Sequence, residues 1–224
     1  MYVTVTGDQD QPAPLASISS KITRSPTAHL KAGAHLYFEG DSVKWLYQIK
    51  TGVLRLTRMM EDGRRQVIAF GYPGDIVGFP SDGLHHTDCD VLEDVCLQPY
   101  RRSMLESGHG DPQLHYDLLQ AALREISAMQ DHFMMLGRKS AVEKVASFLC
   151  VLTHRVGKEV GGYTQVVLPM SRGDIADFLG LTTETVSRTL TQLRKSRIIA
   201  IENIHTVIIR RPQALSSLSL GDRT

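Results

Sequence analysis

Hydrophobic residues change their spacing twice along this chain. From Leu30 to Pro99 they alternate with polar residues or cluster in short runs, at 34–38, 45–50, 52–59, 65–70, 75–79 and 90–97. Glycines at 33, 40, 52, 63, 71, 74, 78 and 83 punctuate these runs. A period of two with glycine corners predicts many short strands, hence a sandwich or barrel. Asp62-Gly63 lies between two such runs and predicts a hairpin. Lys50-Thr51-Gly52 predicts a second turn.

Beyond Asp111 the period becomes helical. Leu114, Leu118, Ala122, Ile126, Met129, Phe133 and Leu136 recur at spacings of three and four. The helix predicted over 111–138 is about 40 Å long at ~1.5 Å per residue, more than one small domain covers. It reads either as a core helix or as a coiled-coil dimer seam. Its length favours a seam through Leu118, Ala122, Ile126, Met129 and Phe133. Gly137-Arg138-Lys139 reads as a hinge. Ser140 with Glu143 forms a capping box that opens the next helix, with Val142, Val145, Ala146, Leu149 and Leu152 on its apolar side. Gly161-Gly162 reads as a loop and 165–168 as a short strand.

Residues 169–211 carry the most chemistry. Ser171 and Asp174 have the form of a helix start, and Gly180 sits where that helix stops. Thr182 is the N-cap of a second helix. Helix, short glycine-containing turn, helix is the helix-turn-helix pattern. In the second helix Val186, Leu190 and Leu193 face inward. Glu184, Ser187, Arg188 and Thr191 face outward. Arg188 has the fork that matches guanine O6 and N7. Glu184 can accept from cytosine N4 or adenine N6. Ser187 can meet a phosphate or a thymine methyl group. Arg172 at a helix N-terminus, with Thr182, Thr183 and Thr191, makes a candidate set for backbone or secondary contacts. Apolar runs at 198–201 and 206–210 flank Glu202-Asn-Ile-His205 and predict a hairpin wing.

Charge sharpens this picture. The chain has 224 residues with 25 Lys+Arg and 24 Asp+Glu, a net of +1. Residues 1–138 carry −4 and residues 139–224 carry +5. A basic C-terminal third suits a polyanion. Apolar residues at 42% exclude a disordered chain. No apolar run is long enough to span a membrane. The N-terminus lacks the form of a secretory signal. Three cysteines make no disulfide framework, which points to a reducing, cytoplasmic setting. No nucleophile–base arrangement and no phosphate loop is present, so an enzyme is not expected.

The run Pro-Met-Ser-Arg-Gly-Asp-Ile-Ala-Asp-Phe-Leu-Gly-Leu-Thr-Thr-Glu-Thr-Val-Ser-Arg-Thr-Leu, from Pro169 to Leu190, resembles the C-terminal domain of the CRP/FNR transcription regulators. Asp75-Ile-Val-Gly-Phe79 is similar to the FNR branch of their β-roll. The resemblance spans about residues 29–212. It implies an α+β fold: a cyclic-nucleotide-binding-like β-roll, a long dimerisation helix and a C-terminal winged helix-turn-helix. The expected divisions are a tail over 1–28, the β-roll over 29–110, the dimer helix and hinge over 111–138, the DNA-binding domain over 139–212 and a tail over 213–224. Glu184-x-x-Ser187-Arg188 resembles the FNR and FixK motif that reads TTGAT half-sites. The implied partners are duplex DNA, RNA polymerase and a second copy of the chain.

Two departures narrow the resemblance. The cluster-bearing members use four cysteines, three near the N-terminus, whereas this chain has none before Cys89. Cys96 alone falls near the family's fourth. An iron–sulfur cluster is therefore not expected. Members that bind cyclic AMP carry an Arg-Ser pair for the phosphate. The stretch Gly78-Phe-Pro-Ser-Asp-Gly-Leu-His-His-Thr-Asp-Cys-Asp90 has no arginine, so cyclic nucleotide binding is not expected. What remains resembles the FixK type, with a role in low-oxygen or nitrogen-fixation gene control and no cofactor. The competing readings are gating by haem at His85 or His86, by another small ligand or by cysteine oxidation, and a β-roll module regulating an enzyme or channel. A solvated histidine pair is the default for His85-His86-x-x-Cys89, and an inert core thiol the default for Cys150. No metal site is expected.

Overall fold

The computed structural model describes residues 26–80, 82–106 and 111–221. The expected N-terminal tail lies outside the described residues as far as residue 25. Strand β1 (Ala28–Leu30) already begins within its last positions. The chain divides into two compact units within its long helix, between Ser127 and Ala128.

The first unit is β-rich. After β1 come β2 (His35–Tyr37), β3 (Trp45–Met59), β4 (Arg65–Gly71), β5 (Ile76–Val77) and β6 (Asp88–Arg101). All pairings are antiparallel, in the order β1-β6-β3-β4, with β2 on β6 and β5 on β3. The Asp62-Gly63 hairpin forms as the sequence predicts. Met59 pairs with Arg65, and Gly63 (φ 80°) donates its N–H to the Met60 carbonyl at 2.9 Å. The expected turn at 50–52 does not form. β3 runs straight through it as one strand of 15 residues, and its register with β6 slips on both sides of Thr51. Gly52 (φ 83°) absorbs the slip as a bulge. A Cβ there would lie 2.3 Å from the Asp94 carbonyl oxygen, so only glycine lets β6 approach.

A short helix α1 (Arg102–Glu106) leads to α2 (Pro112–Arg138), 27 residues long. Asp111 caps α2, its carboxylate accepting from the Gln113 and Leu114 N–H groups at 3.0 and 3.2 Å. Leu114, Leu118 and Ala121 bury one face of α2 in a core with Leu46, Ile76 and Tyr100. This corrects the expected seam. Leu118 is 0% exposed inside the β-unit and Ala122 is half-buried. The apolar residues left in the open are Tyr116, Leu119, Leu123, Ile126, Met129, Phe133 and Met134.

The second unit holds the last part of α2, then α3 (Ala141–Val156), β7 (Lys158–Val160), β8 (Tyr163–Val167), α4 (Arg172–Leu179), α5 (Thr183–Lys195), β9 (Ile199–Asn203), β10 (Thr206–Ile209) and α6 (Pro212–Leu220). The capping box at Ser140 is present, its N–H donating to Glu143 Oε2 at 2.6 Å. The wing forms as β9 and β10, and joins β8 and β7 in a four-stranded sheet ordered β7-β8-β10-β9. Gly161 and Gly162, both with positive φ, make the β7–β8 turn, so the expected loop is a hairpin with a strand on each side.

The expected tail over 213–224 is instead helix α6 as far as Leu220, and residues 222–224 lie outside the described residues. Pro212 starts it, Gly221 (φ 84°) ends it, and Leu215 is buried. Lys139, in the hinge after α2, donates to the Ser219 carbonyl at 2.6 Å and to Ser147 Oγ at 2.7 Å. A cation on the carbonyl end of α6 favours the helix dipole. Burial holds the Lys139 ammonium pKa below its ordinary value.

Candidate nucleic-acid interface

The reading helix is built from its caps outward. Ser171 Oγ accepts from the Asp174 N–H at 3.0 Å, and Asp174 Oδ2 accepts from the Ser171 N–H at 3.0 Å. This reciprocal cap starts α4 where the sequence predicts. Gly180, in the left-handed region at φ 60°, stops it. Thr182 Oγ1 accepts from the Thr185 N–H at 3.1 Å and starts α5. Val186, Leu190 and Leu193 anchor α5 inward, at 0%, 3% and 1% exposure.

With that face buried, Glu184, Ser187 and Arg188 are exposed and Thr191 half-exposed. They line one open depression of about 520 Å³ together with Gln192, Lys195 and Ser196. The last three were missed in the sequence, although Arg188, Gln192 and Lys195 continue the face at i, i+4 and i+7. Glu184 Oε1 lies 3.6 Å from Arg188 Nη1, an exposed pair one helical turn apart. Ser187 donates to the Thr183 carbonyl and Thr191 to the Ser187 carbonyl, both at 2.9 Å. Their hydroxyl protons are spent on the helix, which leaves each oxygen as an acceptor. Thr182 is occupied as a cap and also pairs with Thr185 Oγ1 at 2.9 Å. Thr183 is exposed beside it.

Arg172 occupies the first turn of α4 and is half-buried. Its Nη1 is buried without a hydrogen-bond partner, and burial pulls its pKa down. A guanidinium in this state would gain from an anion at the mouth of the helix.

The remaining candidates stand apart from this face. His85 is buried, not solvated as its polar neighbours suggest. Its ring stacks on Tyr37 with centroids 3.6 Å apart, and burial lowers its pKa. His86 is exposed. Cys89 is fully buried, with its thiol pKa pushed far up by desolvation. Cys96 Sγ lies 3.9 Å from His29 Nε2. Cys150 is half-buried, and burial also raises its pKa. Among the described residues no group of three or more His, Cys, Asp and Glu side chains is placed to hold a metal ion. Between 78 and 90, Asp90 is satisfied by Arg55 Nη2 and His35 Nδ1, each at 2.7 Å. No helix among the described residues is long and apolar enough to cross a membrane.

Comparison with known proteins agrees with this geometry. Residues 27–98 match the cyclic nucleotide-binding domain family and residues 143–218 the Crp-like helix-turn-helix domain family. The nitrogen fixation regulation protein FixK of Rhizobium meliloti is 40% identical over 192 residues, covering 85% of this chain and 86% of that protein. The protein of the same name from Bradyrhizobium diazoefficiens is 41% identical over 178 residues, covering 77% and 73%. The structure of FixK2 from Bradyrhizobium japonicum superposes with a TM-score of 0.79 at 35% identity, covering 88% of this chain and 98% of that one.

Proposed function

Because the chain belongs to the CRP/FNR family of DNA-binding transcription regulators, we propose that it acts as a homodimer that reads a TTGAT-N4-ATCAA-like palindrome and activates transcription by engaging RNA polymerase. The observation that carries the base-reading part is the exposed face of α5, where Glu184, Ser187 and Arg188 project from a helix whose other face is fully buried. Arg188 takes guanine O6 and N7, Glu184 accepts from an exocyclic amino group, and Ser187 contributes an acceptor. Arg172 holds a phosphate at the start of α4, with Thr182, Thr183 and Thr191 in secondary positions. The physiological setting is low-oxygen or nitrogen-fixation gene control; the names of the FixK relatives support the nitrogen-fixation part.

The dimer is supported by the exposed apolar residues of α2. Two copies would place two reading helices in successive major grooves, roughly 34 Å apart. Independence from a cyclic nucleotide is supported by the stretch 78–90, which has no arginine or lysine, and by Arg55, whose guanidinium is already committed to Asp90.

Titration of Arg188→Ala and Arg172→Ala on matched and guanine-substituted duplexes, at several salt concentrations, tests the assignment. Arg188→Ala should lose about 1–3 kcal/mol per half-site on the matched duplex and little on the substituted one. Arg172→Ala should weaken both alike and reduce the salt slope by about one per subunit. Equal penalties for Arg188→Ala on both duplexes would make it a backbone contact.

A further inference from the structure

Arg197 is one of two non-glycine residues given a positive φ among the described residues, at 56°. It closes α5: its N–H donates to the Arg194 carbonyl at 3.0 Å, and the Ile198 N–H reaches the Leu193 carbonyl at 3.1 Å. That left-handed position after a helix suits glycine or asparagine, because a Cβ meets the backbone there. Arginine makes this turn harder to form than glycine would. Arg197 is exposed and pairs with no carboxylate among the described residues. The dipole of α5 favours cations at its C-terminal end, Lys195 included, but it does not account for a positive φ at Arg197. Two residues earlier Lys195 is also exposed and without a carboxylate, and it lines the same depression as Glu184 and Arg188.

We propose that Lys195 and Arg197 form a second phosphate clamp, at the opposite end of the reading helix from Arg172. Phosphate contacts fix the register of a reading helix and carry no sequence information. Residues kept in a disfavoured backbone conformation cluster at functional sites. The clamp rests on the reading that α5 faces duplex DNA, and adds a contact that holds its C-terminal end. Its ligand is the phosphate backbone of any duplex, and it would steady Arg188 over its base.

The test is a binding titration of full-length wild type, Arg197→Gly, Arg197→Lys and Lys195→Gln. Each is titrated on a TTGAT palindrome and on a scrambled duplex over a range of salt. Arg197→Gly should weaken both duplexes by the same factor and lower the magnitude of the salt slope by about 0.9 per subunit. Its thermal midpoint should be no lower than wild type, because glycine suits the position. Lys195→Gln should behave likewise, and Arg197→Lys should retain the slope. An Arg197→Gly protein with wild-type affinity and slope on both duplexes overturns the clamp. A clamp loss confined to the palindrome would also overturn it, because that would mean base reading. If wild type fails to distinguish the two duplexes, the base-reading assignment fails. The clamp is still scored by its slope.

Discussion

His132 of α2 stacks on Phe178 of α4, with ring centroids 4.3 Å apart and planes inclined by 21°. The imidazole is buried, and desolvation brings its pKa down to about 4, with the nearby Lys144 cation adding to the shift. A buried neutral histidine resists charging, so the folded state binds its proton later than the unfolded chain does. Above the unfolded value of 6.5 the group has no effect on stability. As pH falls from 6.5 toward 4 the unfolded state gains protons that the folded state refuses. Stability then declines by up to roughly 3 kcal/mol. Denaturation midpoints between pH 7 and 4 should show this decline, and His132→Phe should flatten it. An unchanged slope in the variant would place the acid sensitivity elsewhere.

On the dimer reading, Ile126→Asp should leave the fold intact and convert the protein to monomers, because a charge would be buried at the proposed seam. Phe133→Glu, at the most exposed apolar residue of the helix, should do the same. Leu118→Asp should behave differently and unfold the β-rich unit, since Leu118 sits among Leu46, Ile76 and Tyr100. Sedimentation and circular dichroism on the three variants separate the two faces. An intact dimer in Ile126→Asp would move the seam off this helix.

The same helix shows where the sequence is ambiguous. Leu118 and Leu119 are adjacent, and a spacing of three and four can be traced through either. A helix that packs on its own domain along one face and exposes a second has two apolar stripes one residue apart. The periodicity therefore predicted the helix over 111–138, but the expected seam mixed the two stripes, joining buried Leu118 and half-buried Ala122 with exposed Ile126, Met129 and Phe133. The caps were more legible. Ser140, Ser171, Gly180 and Thr182 each act through a hydrogen bond or a φ value set within three or four residues. Gly52 shows the opposite case. A glycine permits the positive φ, yet whether it turns the chain or bulges a strand depends on Asp94, 42 residues further along.

Gly52→Ala and Gly180→Ala should differ in cost although both replace a glycine of positive φ. At Gly180 the nearest atom to a new Cβ is Leu136 Cδ2 at 3.7 Å, an ordinary contact. The cost there is the left-handed backbone alone, about 1 kcal/mol. At Gly52 the Cβ would collide with the Asp94 carbonyl, so the β3–β6 pairing must shift as well. The expected loss is about 3 kcal/mol or more. Equal thermal midpoints for the two variants would contradict the bulge.

Leu215→Ala should cost about 2–4 kcal/mol, the usual range for emptying a buried leucine site. A mobile tail over 213–224 would make the same change neutral. Lys139→Met should also lower the midpoint, because it strips the Ser219 carbonyl of a charged donor. Calorimetry on both variants checks whether α6 belongs to the folded unit.

The exposed stripe on α2 also bears on how steeply genes would respond to this regulator. On the dimer reading, a lone subunit offers one reading helix, and a palindrome needs two. At concentrations below the dimer dissociation constant, promoter occupancy then grows with the square of the subunit concentration. While occupancy is low, doubling the subunit concentration would raise it about fourfold. Sharpness of the response would thus depend on how tightly Leu119, Leu123, Ile126 and Phe133 hold their counterparts. Trimming one of them would shift the threshold of expression at which target promoters fire, with every base contact left untouched.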